Sequence, residues 1–337
     1  LTDVPKYDLG LGASYRNDLF DVQGLLMATK DGEYETATVK YLYVERQQTL
    51  GANTAAGVRV GRVRHWLGFH NLKRENPHDA DYIWHPPAIY REHAAHLATS
   101  GDGAQVYLRT EIRDWDLAIN ATRVRPVIEP MTESVAILFG DPAVGNFTSK
   151  SRITGVNLAV ASPSRTLELR YDYTRMEMDL QSAIPFVKSG IAETELHTFG
   201  ARYYFTDSLD VTAERIKVRN RGEVWKSFHA AWPVTGAPGG YALTLRWRPA
   251  DAWQIAATAD WWCTDETDCD GERGKAVGIP SHAYYSRSKI IALRYRFDEH
   301  WTTTLQVMHV DGSNTEIASS ERRQSTDRVG LRVSYSW

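Results

Sequence analysis

Apolar and polar residues alternate with period two in segments of about 10 residues along most of the chain, the pattern of a strand with two unlike faces. The last segment is the cleanest: Val329, Leu331, Val333, Tyr335 and Trp337 share one face, and Arg328, Arg332, Ser334 and Ser336 the other. Upstream, Ile291, Leu293, Tyr295 and Phe297 alternate with Arg294 and Arg296, Tyr241, Leu243, Leu245 and Trp247 with Thr244, Arg246 and Arg248, and Leu167, Leu169, Tyr171 and Tyr173 with Glu168, Arg170 and Asp172. The pattern predicts strands at 8–17, 19–28, 36–46, 55–65, 104–113, 114–124, 152–162, 165–180, 193–205, 207–218, 239–249, 251–263, 286–297, 299–311 and 327–337.

The connections sort by length. Tight turns near Asn17–Asp18, Asp114, Ser162–Arg165, Thr206–Ser208, Pro249–Asp251 and Asp298–His300 alternate with longer stretches at about 29–35, 66–103, 125–151, 181–192, 219–238, 264–285 and 312–326. Short turns at one end and long loops at the other are the layout of a transmembrane antiparallel β-barrel, with the turns periplasmic and the loops extracellular. Single-chain bacterial barrels have an even number of strands. Fifteen visible segments therefore predict 16, with a first strand missing ahead of Leu1; the rival is a strand at 223–232, which spoils the short/long order.

Composition fits an all-β chain and removes other classes. The 337 residues show no linker, so they read as one domain, 1–337. Mean hydropathy is −0.42, and no stretch approaches the roughly 18 apolar residues of a membrane helix. That says little about a barrel, whose strands never form a long apolar run. Trp (11) and Tyr (17) outnumber Phe (9), and these amphipathic aromatics gather at membrane boundaries; a soluble, carbohydrate-stacking β protein shares that composition. A net charge of −3 with no basic domain argues against nucleic acid as a partner.

Candidate chemistry is non-catalytic. No Gly-x-Ser-x-Gly elbow, phosphate loop or haem-attachment motif is present, so no enzyme activity and no cofactor are expected. Histidines cluster at His65, His70, His78, His85, His93 and His96, but spacing alone does not make a metal site. Cys263 and Cys269, in a polar loop, suit a local disulfide in an oxidising compartment.

The final Val329-Gly330-Leu331-Arg332-Val333-Ser334-Tyr335-Ser336-Trp337 resembles the terminal strand read by the barrel-assembly machinery, although Phe is the commoner last residue. Gly61-Arg62-Val63-Arg64 leading to Trp84-His85-Pro86-Pro87-Ala88-Ile89-Tyr90 resembles a poorly characterised group of porin-like proteins. With the loop order, these features make the whole chain similar to the 16-stranded porins of Gram-negative outer membranes. The resemblance implies an outer-membrane homotrimer, in contact with lipid and lipopolysaccharide, passing small hydrophilic solutes by diffusion. It also implies that 66–103 is the third loop, folded into the lumen, with Asp79, Asp81, Trp84, Tyr90, Glu92 and Asp102 at the constriction. A barrel that sheaths a partner protein is the alternative.

A charge facing mid-bilayer costs about 2–4 kcal/mol, so strand charges are expected to face inward. That rule assigns Arg16, Arg59, Arg62, Arg64, Arg109, Arg113, Arg170, Arg246, Arg294, Arg328 and Arg332 to the pore wall, with fewer acids, among them Glu168, Asp172, Glu214 and Asp260. Arg59, Arg62 and Arg64 share one face only if a bulge near Gly61 resets the alternation. The arginine excess predicts anion preference.

Overall fold

The computed structural model describes residues 6–31, 34–71, 80–90, 100–127, 144–147, 150–182, 190–226, 230–233, 237–275, 280–312 and 325–335. Fifteen long strands form one antiparallel up-and-down sheet: β1 (Lys6–Arg16), β2 (Asp21–Asp31), β3 (Tyr34–Gly51), β4 (Thr54–Arg64), β5 (Ser100–Ile112), β6 (Trp115–Pro126), β8 (Arg152–Ala161), β9 (Leu167–Ser182), β10 (Gly190–Thr206), β11 (Leu209–Lys226), β13 (Gly239–Ala250), β14 (Trp253–Cys263), β15 (Tyr285–Arg296), β16 (Trp301–Asp311) and β17 (Ser325–Tyr335). Two four-residue strands extend it. β7 (Val144–Phe147) adds to β9, and β12 (Ala230–Pro233) folds back onto Glu223–Lys226 of β11. Within the 223–232 stretch, Glu223–Lys226 thus continue β11 and pair with β12, and β11 pairs directly with β13 below them.

Each long strand pairs with the next from β1 through β17. Among the described residues no backbone pairing joins β17 to β1. Because the number of long strands is odd, these two edges run in the same direction.

Local chemistry makes the tight turns. Asn17 Oδ1 accepts hydrogen bonds from the amides of Leu19 (2.8 Å) and Phe20 (2.9 Å), which closes the β1–β2 turn. Arg113 and Asp114 both take positive φ (52° and 66°), the two-residue turn whose twist matches a hairpin. Asp298 Oδ1 accepts from the His300 and Trp301 amides between β15 and β16.

The two faces of the sheet reverse the burial of a water-soluble protein. Leu9, Leu11, Ile291, Leu331 and Val333 are each more than half exposed, and they lie on one face. Gln105, Asn120, Asn157, Asp210 and Gln306 are each at most 1% exposed, and they lie on the other. Apolar side chains outward and polar side chains inward is the arrangement of a barrel in lipid. Aromatic rings border the apolar face at the turn end, where Trp253 packs on Tyr295 (4.5 Å between centroids) and Trp301 on Tyr335 (4.8 Å).

Candidate functional site

The described residues of the β4–β5 connection, 65–71 and 80–90, lie against the polar face, and their backbone is tied down by strand side chains. Asp172 on β9 accepts from Gly68 N (2.7 Å), and Glu214 on β11 accepts from Phe69 N (2.8 Å). Asn157 on β8 donates to Trp66 O, and Arg170 on β9 donates to Gly68 O. The Phe69 ring lies between the guanidinium groups of Arg170 (4.5 Å) and Arg202 (4.4 Å).

Residues 80–90 lie across the same wall. The prolines at 86 and 87 start a single helical turn, in which the amides of Ile89 and Tyr90 both bond to Pro86 O. Tyr90 Oη donates to Glu214 Oε1 (2.5 Å) and accepts from His70 N (3.0 Å), so it joins both halves of the segment to β11. Gln306 on β16 accepts from Ile83 N and donates to Trp84 O. Arg332 on β17 donates to the carbonyls of Tyr82 (2.8 Å) and Ala80 (3.0 Å). Gly330, beside it, leaves room for the Trp84 ring: a Cβ there would stand 2.6 Å from Trp84 Cη2.

The segment carries its own charge into this wall. Asp81 accepts from Arg246 (3.3 Å) and Gln254 (2.8 Å) and lies 3.4 Å from His70 Nδ1. Burial opposes ionisation of Asp81, but the hydrogen bond and charge of His70 and the charge of Arg246 outweigh it and hold the carboxyl well below the usual carboxylate range. Behind it, Asp210 receives Arg246 (2.9 Å), Arg248 (3.3 Å) and Arg202 (3.8 Å). His70, Tyr82, His85 and Tyr90 pack edge-to-face, with centroids 5.5–6.3 Å apart, into a small core within the segment.

Hydrogen bonds from residues 66–90 reach β8, β9, β11, β13, β14, β16 and β17. Among the described residues none reaches β1–β6. The polar side chains of that other wall bond to one another instead. Arg59 on β4 sits between the rings of Tyr43 (5.3 Å) and Tyr107 (5.0 Å) and bonds to Glu45 (3.0 Å) and Gln105 (2.9 Å). Tyr107 donates to Glu45. Arg109 extends past the Tyr107 ring, exposed.

Known structures share this fold. OmpT of Vibrio cholerae matches 98% of this chain over 89% of its own, at 9% identity and a TM-score of 0.56. OmpF of Salmonella typhi, solved with daunomycin, matches the same share of each chain, at 8% identity and a TM-score of 0.55. The outer membrane channel DcaP of Acinetobacter baumannii matches 98% of this chain over 84% of its own, at 11% identity and a TM-score of 0.50. The fold is that of an outer-membrane porin. No protein-family model matches the sequence, and neither does any curated protein.

Within this porin-like barrel the arginines divide. Arg59, Arg109, Arg170, Arg246, Arg294, Arg328 and Arg332 lie on the polar face. Arg16 also does, at the turn end of β1, paired with Asp21 (3.0 Å). Arg62 does not. The register runs through Gly61 without a break, and the β2–β3 bulge lies at the neighbouring strand position, between Tyr41 and Val39. Arg62 therefore stays on the face of Val58 and Val60, where it pairs with Asp102 (2.9 Å). Asp102 is accordingly a residue of β5 on the outer face and not part of the connection. Arg64 ends β4 over the Tyr41 ring (4.3 Å), and Arg113 sits in a turn. Asp81, Trp84 and Tyr90 are in the wall-bound segment; Asp79 and Glu92 fall outside the described residues. Cys263 and Cys269 are joined by a disulfide.

Two acids escaped the sequence reading, Asp210 and Glu45. Each lies two or four residues from an inward residue, Asp210 from Glu214 and Glu45 from Tyr43, so strand parity alone was sufficient to place them. Their partners, on strands distant in sequence, carry no such signal.

Proposed function

We propose that the chain is a channel of the Gram-negative outer membrane, a homotrimer that passes small hydrophilic solutes through a water-filled lumen narrowed by residues 66–90. The observation that carries this is the one-sided anchoring of that segment. Its hydrogen bonds to Asp172, Glu214, Gln306 and Arg332 go to the β8–β17 side, and the facing wall of β3–β5 carries Tyr43, Glu45, Arg59, Gln105, Tyr107 and Arg109, which would line a polar passage along one side. A segment of the chain lying in the lumen also counts against a socket for a sheathed partner. The Vibrio cholerae OmpT fold occurs in a trimer form, which supports the oligomer.

Selectivity follows from which charges remain available to ions. Asp210 and Asp81 are consumed by arginines, and Glu45 is shared between Arg59 and Tyr107, whereas Arg109 stands exposed on the passage wall. A modest preference for anions is expected. Single-channel recording in a planar bilayer tests both parts. Discrete steps, with a reversal potential toward chloride under a salt gradient that moves toward potassium in Arg109→Gln, are expected. Folded protein without steps would overturn the channel; a cation-favouring reversal would overturn the selectivity.

A further inference from the structure

The outer face of β11–β15 carries charge that the pore does not use. Odd-numbered residues of β11 point outward, so Arg215 and Lys217 lie on the lipid-facing side, exposed. Arg287 and Lys289 do the same on β15. Between the two pairs lie Tyr241 on β13 and Trp261 on β14, with rings 4.9 Å apart. The register puts four of these residues in one row: Arg215 opposite Tyr241, Tyr241 opposite Trp261, and Trp261 opposite Arg287.

Depth places this row at a membrane boundary. Trp253, in the aromatic border at the turn end, is eight residues along β14 from Trp261, about 27 Å of strand and roughly 20 Å of depth at the usual barrel tilt. Between them the outer face is Ile255, Ala257 and Ala259, flanked by Leu243, Leu245, Ile291 and Leu293. Lys289 lies beside Ala259, two residues below the row, from where its long stem carries the ammonium up toward Arg287. The row thus lies at the upper edge of the apolar belt, on the side of the long connections, where the outer leaflet has its headgroups. Cations there cost about 0–1 kcal/mol, against the larger cost at mid-bilayer.

We infer that this row binds the headgroup of an outer-leaflet glycolipid with a phosphate at each end of a sugar body. Arg215 and Lys217 hold one phosphate, and Arg287 and Lys289 hold the other. Three strand spacings separate the two pairs, about 14 Å, with a two-ring aromatic surface between them that suits a sugar and its acyl chains. The acids facing the row are few. Glu266 lies 3.4 Å from Arg215 and competes for it, and Asp311 stands in register with Arg287. His309 is taken by Asp327 (2.6 Å). Arg287 is held over the Tyr285 ring (4.7 Å), which presets its guanidinium. Phosphatidylglycerol and phosphatidylethanolamine carry a single phosphate and no sugar body, and they do not span the row.

The inference rests on the outer-membrane reading of the barrel but not on its being an open channel. The full-length protein, refolded in lipid-free detergent, is titrated with purified bisphosphorylated lipid A and followed by native mass spectrometry. Monophosphorylated lipid A and phosphatidylglycerol serve as competitors. Wild type is expected to prefer the bisphosphorylated form. Arg215→Gln/Lys217→Gln and Arg287→Gln/Lys289→Gln are each expected to weaken it by about tenfold or more and to erase the difference between bis- and monophosphorylated forms. Lys217→Arg/Lys289→Arg should bind as wild type. Heat-modifiable migration reports whether each variant is folded, and these outward changes should leave conductance as it is. Unchanged affinity in both glutamine variants, or equal competition by phosphatidylglycerol, overturns the site while leaving the channel intact. Lipid binding without conductance would overturn the channel while leaving the site.

Discussion

Asp81 is the residue on which the wall-bound segment turns, because it is the one described acid of that segment bonded to a strand cation. Removing one member of a buried charge pair costs about 3–5 kcal/mol, less where the orphaned charge keeps a second partner, as Arg246 keeps Asp210. Asp81→Asn is expected to lower the heat-unfolding midpoint of the folded barrel and to raise conductance noise. The pH dependence has a definite sign. A carboxyl whose folded pKa is depressed contributes stability that is present above its ordinary value of 3.8 and is lost as pH falls below it. Thermal melts of wild type should therefore drop between pH 4 and lower pH more steeply than those of Asp81→Asn; parallel curves would remove Asp81 as the acid-sensitive contact. At this scale the inward facing of Arg59, Arg170 and Arg332 was legible by counting in twos. Arg62 was misread because the rule that charges point inward holds only within the hydrocarbon, and strands that reach its upper edge carry Arg62 and Arg215 outward at little cost.

Among the elements, β17 holds the tip of the segment through Arg332 and through the gap at Gly330, where Trp84 seats. Gly330→Val fills that gap. Overpacking of this kind costs about 1–3 kcal/mol, and the cheapest relief is to push Trp84 off the wall and keep the strand. The variant is expected to fold, judged by heat-modifiable migration, and to show larger single-channel steps. Unchanged steps would mean that Trp84 does not border the passage. Element existence was legible almost throughout, because alternation is a local signal. What alternation did not show is how far β11 runs past the membrane, to Lys226 and not 218, since strand pairing above the lipid needs no apolar face. The direction in which the β4–β5 connection lies was not written in its own residues either; its proline pair sets a stiff turn, but its partners are supplied by other strands.

For the whole molecule, the reversal of faces is the dominant energetic fact. The large apolar surface on the outside would be a liability in water and is the normal contact with lipid. It also explains why composition misleads: a mean hydropathy of −0.42 averages two faces that never meet the same solvent. The odd count of long strands among the described residues leaves β1 and β17 as edges that run the same way, and a backbone edge cannot face hydrocarbon unpaired.

The segment's anchors also say something about time. Gln306 meets Trp84 across 222 residues, and Arg332 meets Tyr82 across 250. Such distant partners cannot be met until the final strands exist, and long-range contacts form late for the same reason that they are entropically dear. The seat of residues 80–84 is thus completed last: residues 66–69 find their partners once β8, β9 and β11 exist, and only when β16 and β17 are laid in do Tyr82 and Trp84 gain theirs.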